Sequence, residues 1–220
     1  MKSDALAGAR ILLEKELPNV PRETSEALLR YASLTMTWNP SINLTGAKDP
    51  ITFLQNQVLD CAHAYEVLPR ARGYLDLGSG AGLPGLVWAL LDPDRQIILV
   101  EVLKKRSAFL NRAVAELNLP MVTVFNQSFS DLIPKSLPTG FEVVSRGTWP
   151  PQELLALADQ TPLPWKTWWV FSGEKLHQEY LKFSPSYKIR AQSLNYPKSK
   201  GNKGLLTRLD RREQPYTTLP

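Results

Sequence analysis

Residues 73–85 read Gly73-Tyr74-Leu75-Asp76-Leu77-Gly78-Ser79-Gly80-Ala81-Gly82-Leu83-Pro84-Gly85. The run from Gly73 to Leu77 reads as a short strand, and glycine then recurs at every second position from Gly78 to Gly82. A strand thus delivers the chain into a turn where the backbone must bend tightly and a ligand can approach with no β-carbon in its way. Pro84 suits the first turn of a helix, where its missing N–H costs nothing, so residues 84–91 are expected to leave the turn as a helix. The alternation continues downstream. Gln96 to Glu101 reads as a buried strand, Lys104 to Asn118 as a helix with Phe109, Leu110, Val114 and Leu117 on one face, and Val122 to Phe125 as a third strand. Phe141 to Ser145 reads as a fourth strand, followed by a helix near 151–159, and Thr167 to Phe171 as a fifth. Strands alternating with helices predict an α/β, Rossmann-like fold with a mostly parallel, doubly wound sheet. Two further segments, about 186–194 and 204–209, flank a polar loop and predict an antiparallel C-terminal addition.

Upstream of Gly73 the apolar spacing is helical. One helix covers residues 4–17 and ends at Pro18. A second runs through Leu28, Leu29, Tyr31 and Met36 and is expected to stop at Trp38-Asn39-Pro40, because proline disfavours helix in the residue before it. Residues 41–50 read as a loop, and a third helix follows Pro50 to Leu68. The expected division is a helical extension, 1–72, and a Rossmann-like domain, 73–220.

The composition sets limits. The chain has 220 residues, 43% hydrophobic and 21% charged, which is enough to bury a core and excludes wholesale disorder. The single cysteine, Cys61, excludes an internal disulfide framework and a cysteine-rich zinc site, and fits a reducing compartment. His63 and His177 lack partners at ligand spacing, so no metal is expected. No apolar run approaches the ~20 residues needed to span a bilayer, and the first residues make a poor signal peptide. A cytoplasmic monomer without a membrane partner is the expectation. The net charge is +5. Residues 1–72 hold 8 basic and 8 acidic side chains, 73–147 hold 7 and 7, and 148–220 hold 11 and 6. The excess therefore sits in the last third, where basic residues mix with Phe183, Tyr187 and Tyr196. Such a mixture can clamp phosphates and stack bases, or simply form a solvated surface.

The glycine turn fits two cofactors. Gly80, Gly82 and Gly85 spell the dinucleotide fingerprint G-x-G-x-x-G. Gly78, Gly80 and Gly82 after Asp76 suit S-adenosylmethionine, because a carboxylate beside the loop can hold an ammonium group and would repel a pyrophosphate. Glu101 ends the second strand 19 residues after Gly82, where it can accept both hydroxyls of a ribose. S-adenosylmethionine is the favoured reading, with a nicotinamide cofactor as the alternative.

Further motifs extend the comparison. Trp38-Asn39 precedes Asn43-Leu44-Thr45, then Leu59-Asp60, the glycine turn with Leu83-Pro84-Gly85, Glu101 with Lys104-Lys105-Arg106 and Phe109-Leu110, and Phe141 to Arg146. In these residues the chain resembles the bacterial small-subunit ribosomal RNA methyltransferase G family, once called glucose-inhibited division protein B. The resemblance covers about half the chain well, from Trp38 to Arg146. The C-terminal third matches loosely through Tyr196-Pro197-Lys198 and Gly201.

It implies a class I methyltransferase that uses S-adenosylmethionine to methylate N7 of a guanine in 16S ribosomal RNA, with that RNA or the small ribosomal subunit as partner. Asp76, Gly78, Ser79, Gly80, Gly82, Leu83 and Glu101 would then bind the cofactor, with Asn126 and Gln127 beside its adenine. Arg146 and Asp60 would serve the methyl-transfer site, and Lys104, Lys105, Arg106, Lys198, Lys200 and Lys203 would contact RNA. The family pattern Arg-His before the conserved Asp reads Asn56-Gln57 here, its Arg-Ala-Glu reads Ser128-Phe129-Ser130, and its Lys-Gly reads Ser172-Gly173. Two other functions stay open: an RNA- or ribosome-binding relative without transfer activity, and an NAD-dependent oxidoreductase.

Overall fold

The computed structural model describes residues 3–132, 137 and 140–211. Its strands are β1 (Gly73–Leu77), β2 (Gln96–Val100), β3 (Val122–Phe125), β4 (Phe141–Arg146), β5 (Thr167–Ser172), β6 (Ile189–Pro197) and β7 (Lys203–Arg211). They form one sheet in the order β3-β2-β1-β4-β5-β7-β6. The first five run parallel, β7 lies antiparallel to β5, and β6 is antiparallel to β7. The expected parallel sheet and antiparallel addition are both present.

The helices are α1 (Ser3–Glu16), α2 (Arg22–Ile42), α3 (Pro50–Phe53), α4 (Leu59–Val67), α5 (Gly85–Leu91), α6 (Lys104–Glu116), α7 (Pro151–Gln160) and α8 (Glu174–Phe183). A π-helical turn, Leu54–Val58, joins α3 to α4, so the expected third helix is continuous but widened in its middle. Two expectations need correction. The second helix does not stop at Pro40; it runs to Ile42 with Pro40 inside its last turn, so the helix forgoes the one backbone hydrogen bond that Pro40 cannot donate. The stop comes from Asn43, in the left-handed region at φ 52°, whose N–H returns to Asn39 O at 2.9 Å. The second correction is α8, which was not expected. Its apolar residues Leu176, Tyr180 and Phe183 recur at helical spacing, but only His177 and Tyr180 are buried, and Leu176 and Leu181 are exposed.

Side chains alternate across the sheet. Tyr74, Ile97, Leu99, Val144, Trp169 and Phe171 face a core shared with α1, α2, α4, α5 and α6. Leu75, Leu77, Ile98, Val143, Trp168 and Val170 face a second core with α7, Tyr180 of α8 and the hairpin. Trp88 of α5 is fully buried, its ring 4.7 Å from that of Tyr74, and it donates through Nε1 to Cys61 O at 2.9 Å. The N-terminal helices are thereby fastened to the sheet. The tryptophans near β5 are buried, each with its indole N–H satisfied: Trp168 by Ser145 Oγ at 3.0 Å, Trp169 by Glu142 Oε2 at 2.6 Å and Trp165 by Ala158 O at 3.0 Å.

In the C-terminal hairpin Tyr196 faces Gly204. A Cβ on Gly204 would fall inside the Tyr196 ring. Gly204→Ala is therefore expected to cost about 1–3 kcal/mol through overpacking, read as a lower urea midpoint at unchanged m-value. An unchanged midpoint would refute this packing.

Candidate active site

The sheet reverses its strand order beside β1, which is flanked by β2 on one side and β4 on the other. Open α/β sheets bind ligands at this point, outside the carboxyl ends of the strands. The glycine turn sits there, with Gly78, Gly80 and Gly82 at φ 73°, 55° and 91°. Gly78 N and Ser79 N donate to Val100 O at 2.9 and 3.1 Å, while Ser79 Oγ donates to Asp76 O at 2.9 Å and accepts from Val100 N at 3.1 Å. Ser79 thus pins the turn to the end of β2, with its side chain buried rather than offered to a ligand. Leu83 is likewise part of the core beneath the turn. Gly80 is the open glycine: a Cβ there would come no closer than 3.9 Å to Gly78 O.

Glu101 closes the loop from the other side. Its Oε2 accepts from Gly80 N at 3.0 Å and its Oε1 from Leu103 N at 2.8 Å. Asn126 turns to the backbone, donating to Glu101 O at 2.9 Å and Val102 O at 3.1 Å, so it supports the rim. Gln127 lines the cavity itself. That cavity has a volume of about 520 Å³ and is lined by Gly78, Glu101, Leu103, Arg106 and Gln127, together with Phe129, Thr148 and Trp149. Leu103 and the last three were not expected there. Thr148 Oγ1 donates to Leu77 O at 3.2 Å, and its methyl occupies the space a Cβ on Gly78 would need.

Asp76 lies behind the glycine turn and is fully buried. Its Oδ2 accepts from Gly85 N at 3.0 Å, whereas Oδ1 has no partner. Burial pushes its carboxyl up to about 7, with the Gly85 amide pulling the other way and Glu101's charge adding to the rise.

A second group of residues meets beside α4. Asp60 Oδ1 accepts from Tyr196 Oη and from Lys198 Nζ, both at 2.6 Å, and Asp60 Oδ2 accepts from Arg146 at 3.2 Å. Burial first, and then Asp60's charge, push the Tyr196 phenol far above its usual range, so Tyr196 remains the donor. The Arg146 guanidinium also lies 5.7 Å from the centre of the Phe171 ring. Asp60 and Arg146, 86 residues apart, are joined directly. Lys198, expected at an RNA surface, belongs to the same cluster. A polar cavity of about 240 Å³, lined by Asp60, Asn56, His63, Lys198 and Asn202, opens next to it.

The remaining basic residues divide. Lys104 and Lys105 are exposed in the first turn of α6, Arg106 is half-buried, and Lys203 is exposed. The side chain of Lys200 lies outside the described residues. The basic hairpin is not one open cationic strip. Arg208 pairs with Asp210 at 2.9 Å and lies over Trp169, while Arg211 donates to Thr161 O at 2.6 Å and lies over Trp165. Burial pushes the Cys61 thiol up to about 12, which leaves it inert as a nucleophile. Among the described residues no group of His, Cys, Asp and Glu could hold a metal, and no helix is long and apolar enough to cross a membrane.

A five-stranded parallel core, an antiparallel strand beside β5, a glycine turn at the reversal point and an acid at the end of β2 together define a class I methyltransferase. Solved structures agree in fold. An O-methyltransferase from Streptomyces achromogenes, in complex with S-adenosylmethionine, superposes with a TM-score of 0.54 at 16% identity over 96% of this chain and 99% of that one. A SAM-dependent methyltransferase from Aquifex aeolicus gives 0.52 at 18% identity over 72% and 92%.

Sequence comparison is more specific. The family profile described as rRNA small subunit methyltransferase G matches residues 24–207. Among curated relatives, the ribosomal RNA small subunit methyltransferase G of Paracoccus denitrificans is 33% identical over 172 residues, 78% of this chain and 87% of that protein. Its namesake in Burkholderia multivorans is 32% identical over 170 residues, 74% and 73%. The chain belongs to the rRNA small subunit methyltransferase G family. Its cofactor is S-adenosylmethionine, and the nicotinamide alternative falls.

The residues present fit that cofactor. Asp76 Oδ1 is a buried acceptor awaiting a donor, Gly80 leaves the backbone open, and Glu101 keeps lone pairs beyond the two amides it already accepts.

Tyr196→Phe removes a hydrogen bond to a carboxylate, so stability is expected to fall by about 1.5–3 kcal/mol. Equilibrium urea unfolding checks this, and an unaltered unfolding free energy would show that the Tyr196–Asp60 bond contributes nothing.

Proposed function

We propose that the protein methylates N7 of a guanine in 16S ribosomal RNA, presented by the small ribosomal subunit or its precursor. The observation that carries the reading is the family match over residues 24–207. Guanine N7 has a free lone pair, so the chemistry needs no general base, and proximity and alignment supply most of the acceleration. When bound, the cofactor would supply an electrophilic sulfonium methyl group to guanine N7, the pair of the broken carbon–sulfur bond staying on sulfur.

The protein's part is to bind and orient. Asp76 Oδ1 takes the ammonium of the methionine moiety, and Glu101 takes the ribose hydroxyls. Leu103, Phe129 and Trp149 supply an apolar wall for the adenine. Arg146 is the donor toward guanine O6 or a neighbouring phosphate, a choice that leaves N7 uncovered. Asp60, Tyr196 and the Phe171 ring limit its freedom, and that support for Arg146 favours the catalytic reading over a purely RNA-binding one. We further propose that it acts as a monomer in the cytoplasm. The helical extension, 1–72, supplies Asp60 to the site, and the methyltransferase domain, 73–220, supplies the rest.

Two outcomes test this function. Asp76 is largely protonated below pH 7, and a cofactor ammonium favours its charged form. Cofactor affinity should therefore rise between about pH 5 and pH 7 and level off above that, where the cofactor's own α-amino group begins to lose its proton, with close to one proton released on binding at pH 6. Without cofactor the sign is opposite: a carboxyl raised in the folded state binds more protons than when unfolded. Asp76 therefore lowers stability as pH climbs from about 4 to about 7. Calorimetry in buffers of different ionisation enthalpy reads the proton release, and Asp76→Asn should abolish it; equal release by the variant would remove Asp76 from the cofactor site. For the substrate, a borohydride and aniline cleavage map of 16S RNA from cells with and without this gene should differ at one guanine. Identical maps would overturn the guanine N7 reading.

A further inference from the structure

The Trp38-Asn39 and Asn43-Leu44-Thr45 pieces take no part in lining the cofactor cavity, yet the fold gives them a surface of their own. Asn39 organises the turn after α2: its Oδ1 accepts from Leu44 N at 2.7 Å and Thr45 N at 2.9 Å, and its Nδ2 donates to Thr45 O at 2.9 Å. The turn presents Asn43 O to Arg106 of α6, which donates to it at 3.0 Å. Between the end of α2 and the start of α6 lies a surface cavity of about 400 Å³, lined by Thr37, Trp38, Ser41, Ile42, Lys105 and Ala108. Trp38 is half-buried and packs edge-on against Phe109, the ring centres 5.9 Å apart. It is an aromatic wall held in a fixed orientation.

The charge beside this wall is placed against the helix. Lys104, Lys105 and Arg106 open α6, where the macrodipole favours anions, and the first turn contains no acidic residue. Lys104 and Lys105 are exposed, and among the described residues neither reaches a carboxylate at ion-pair distance. An external anion would satisfy both lysines and the dipole. The same turn of α6 also reaches the cofactor cavity, through Leu103 and Arg106. The groove therefore adjoins the rim of the methyl-donor site.

We propose that this groove docks one unpaired nucleotide of the RNA substrate, its base stacked against Trp38 and its phosphate held by Lys105 and Lys104. The proposal rests on the RNA methyltransferase reading and adds a contact point outside the site of transfer. An aromatic wall with cations on its rim is the combination that holds single-stranded nucleic acid without reading its sequence. A paired base would keep its face hidden in the stack and could not enter.

The full-length chain tests this with two variants. Trp38→Leu keeps an apolar contact for Phe109, and Lys105→Glu reverses an exposed charge. The probe is a fluorescein-labelled single-stranded oligoadenylate, read by anisotropy, alongside calorimetry with S-adenosylmethionine as the control for an intact fold. Trp38→Leu should weaken oligoadenylate binding by about 5- to 150-fold with cofactor affinity unchanged. Lys105→Glu should weaken it and reduce the salt slope by about one phosphate contact. An oligomer with abasic sugars should bind wild type and Trp38→Leu equally.

The proposal is overturned if wild type does not bind the probe, if Trp38→Leu binds it as wild type does, or if polyglutamate competes as well as oligoadenylate, which would assign the groove to an acidic protein segment. Methylation of small subunits separates the two readings. Trp38-dependent probe binding without any methylation would sink the methyltransferase reading and leave the groove, whereas normal methylation with Trp38-insensitive binding would sink the groove alone.

Discussion

Asp60 brings one negative charge to three donors. Tyr196 and Lys198 come from the C-terminal hairpin, Arg146 comes from the end of β4, and Asp60 itself comes from the first turn of α4. The contact closes the chain on itself, since Tyr196 lies 136 residues from Asp60. Two cations brought together this close would repel each other. One carboxylate between them makes the arrangement tolerable, and the side chain of Asp60 is only 11% exposed, so solvent does little of that work. The hairpin lies beside α4 with Tyr196 and Leu206 in the shared apolar core, and the charge balance removes a repulsion that would oppose that packing. Arg146 then stands in one orientation at the carboxyl edge of the sheet.

The glycine turn obeys a related constraint. A carboxyl buried as deeply as Asp76 is costly to ionise, and evolution toward stability alone would replace it. Its neighbours satisfy only Oδ2, through the amide of Gly85. Gly85 is itself required, because a Cβ there would stand 2.8 Å from that same oxygen. The backbone is thus fitted around Asp76 while Oδ1 is left free. Fold stability alone does not account for that choice.

How much of this was legible depended on distance along the chain. The strand, the turn and the helix after it are specified by thirteen consecutive residues, and Glu101 follows within the next βα unit, so the cofactor edge could be read locally. Asp60, Arg146 and Lys198 could each be singled out, but nothing local says that they meet. Tyr196 stands in the sequence as an aromatic among basic residues and in the Tyr196-Pro197-Lys198 piece, and its bond to Asp60 depends on the hairpin register that sets it opposite Gly204. Thr148 and Trp149 have no motif; they line the cavity because β4 ends just before them. The period of α8 was present in the sequence, since Leu176, Tyr180 and Phe183 fall at helical spacing; what the pattern could not say is that the helix buries only a histidine and a tyrosine.

Charge was the most misleading quantity in the sequence, and for a physical reason. A count treats each lysine and arginine as free, whereas a strand places residues two apart on the same face. Arg208 and Asp210 are such a pair, and they neutralise each other within β7. Arg211 is spent on carbonyl oxygens at the end of α7, and Lys198 on Asp60. The third of the chain with the largest basic excess therefore offers less free charge than its count suggests. The first turn of α6, inside a segment whose charges sum to zero, presents Lys104 and Lys105 exposed and set against a helix dipole that repels them. Attraction for a polyanion depends on which charges remain unpaired at the surface. By that measure the cationic edge of this protein lies beside the cofactor cavity, where an RNA strand would have to pass to bring a base to the methyl donor.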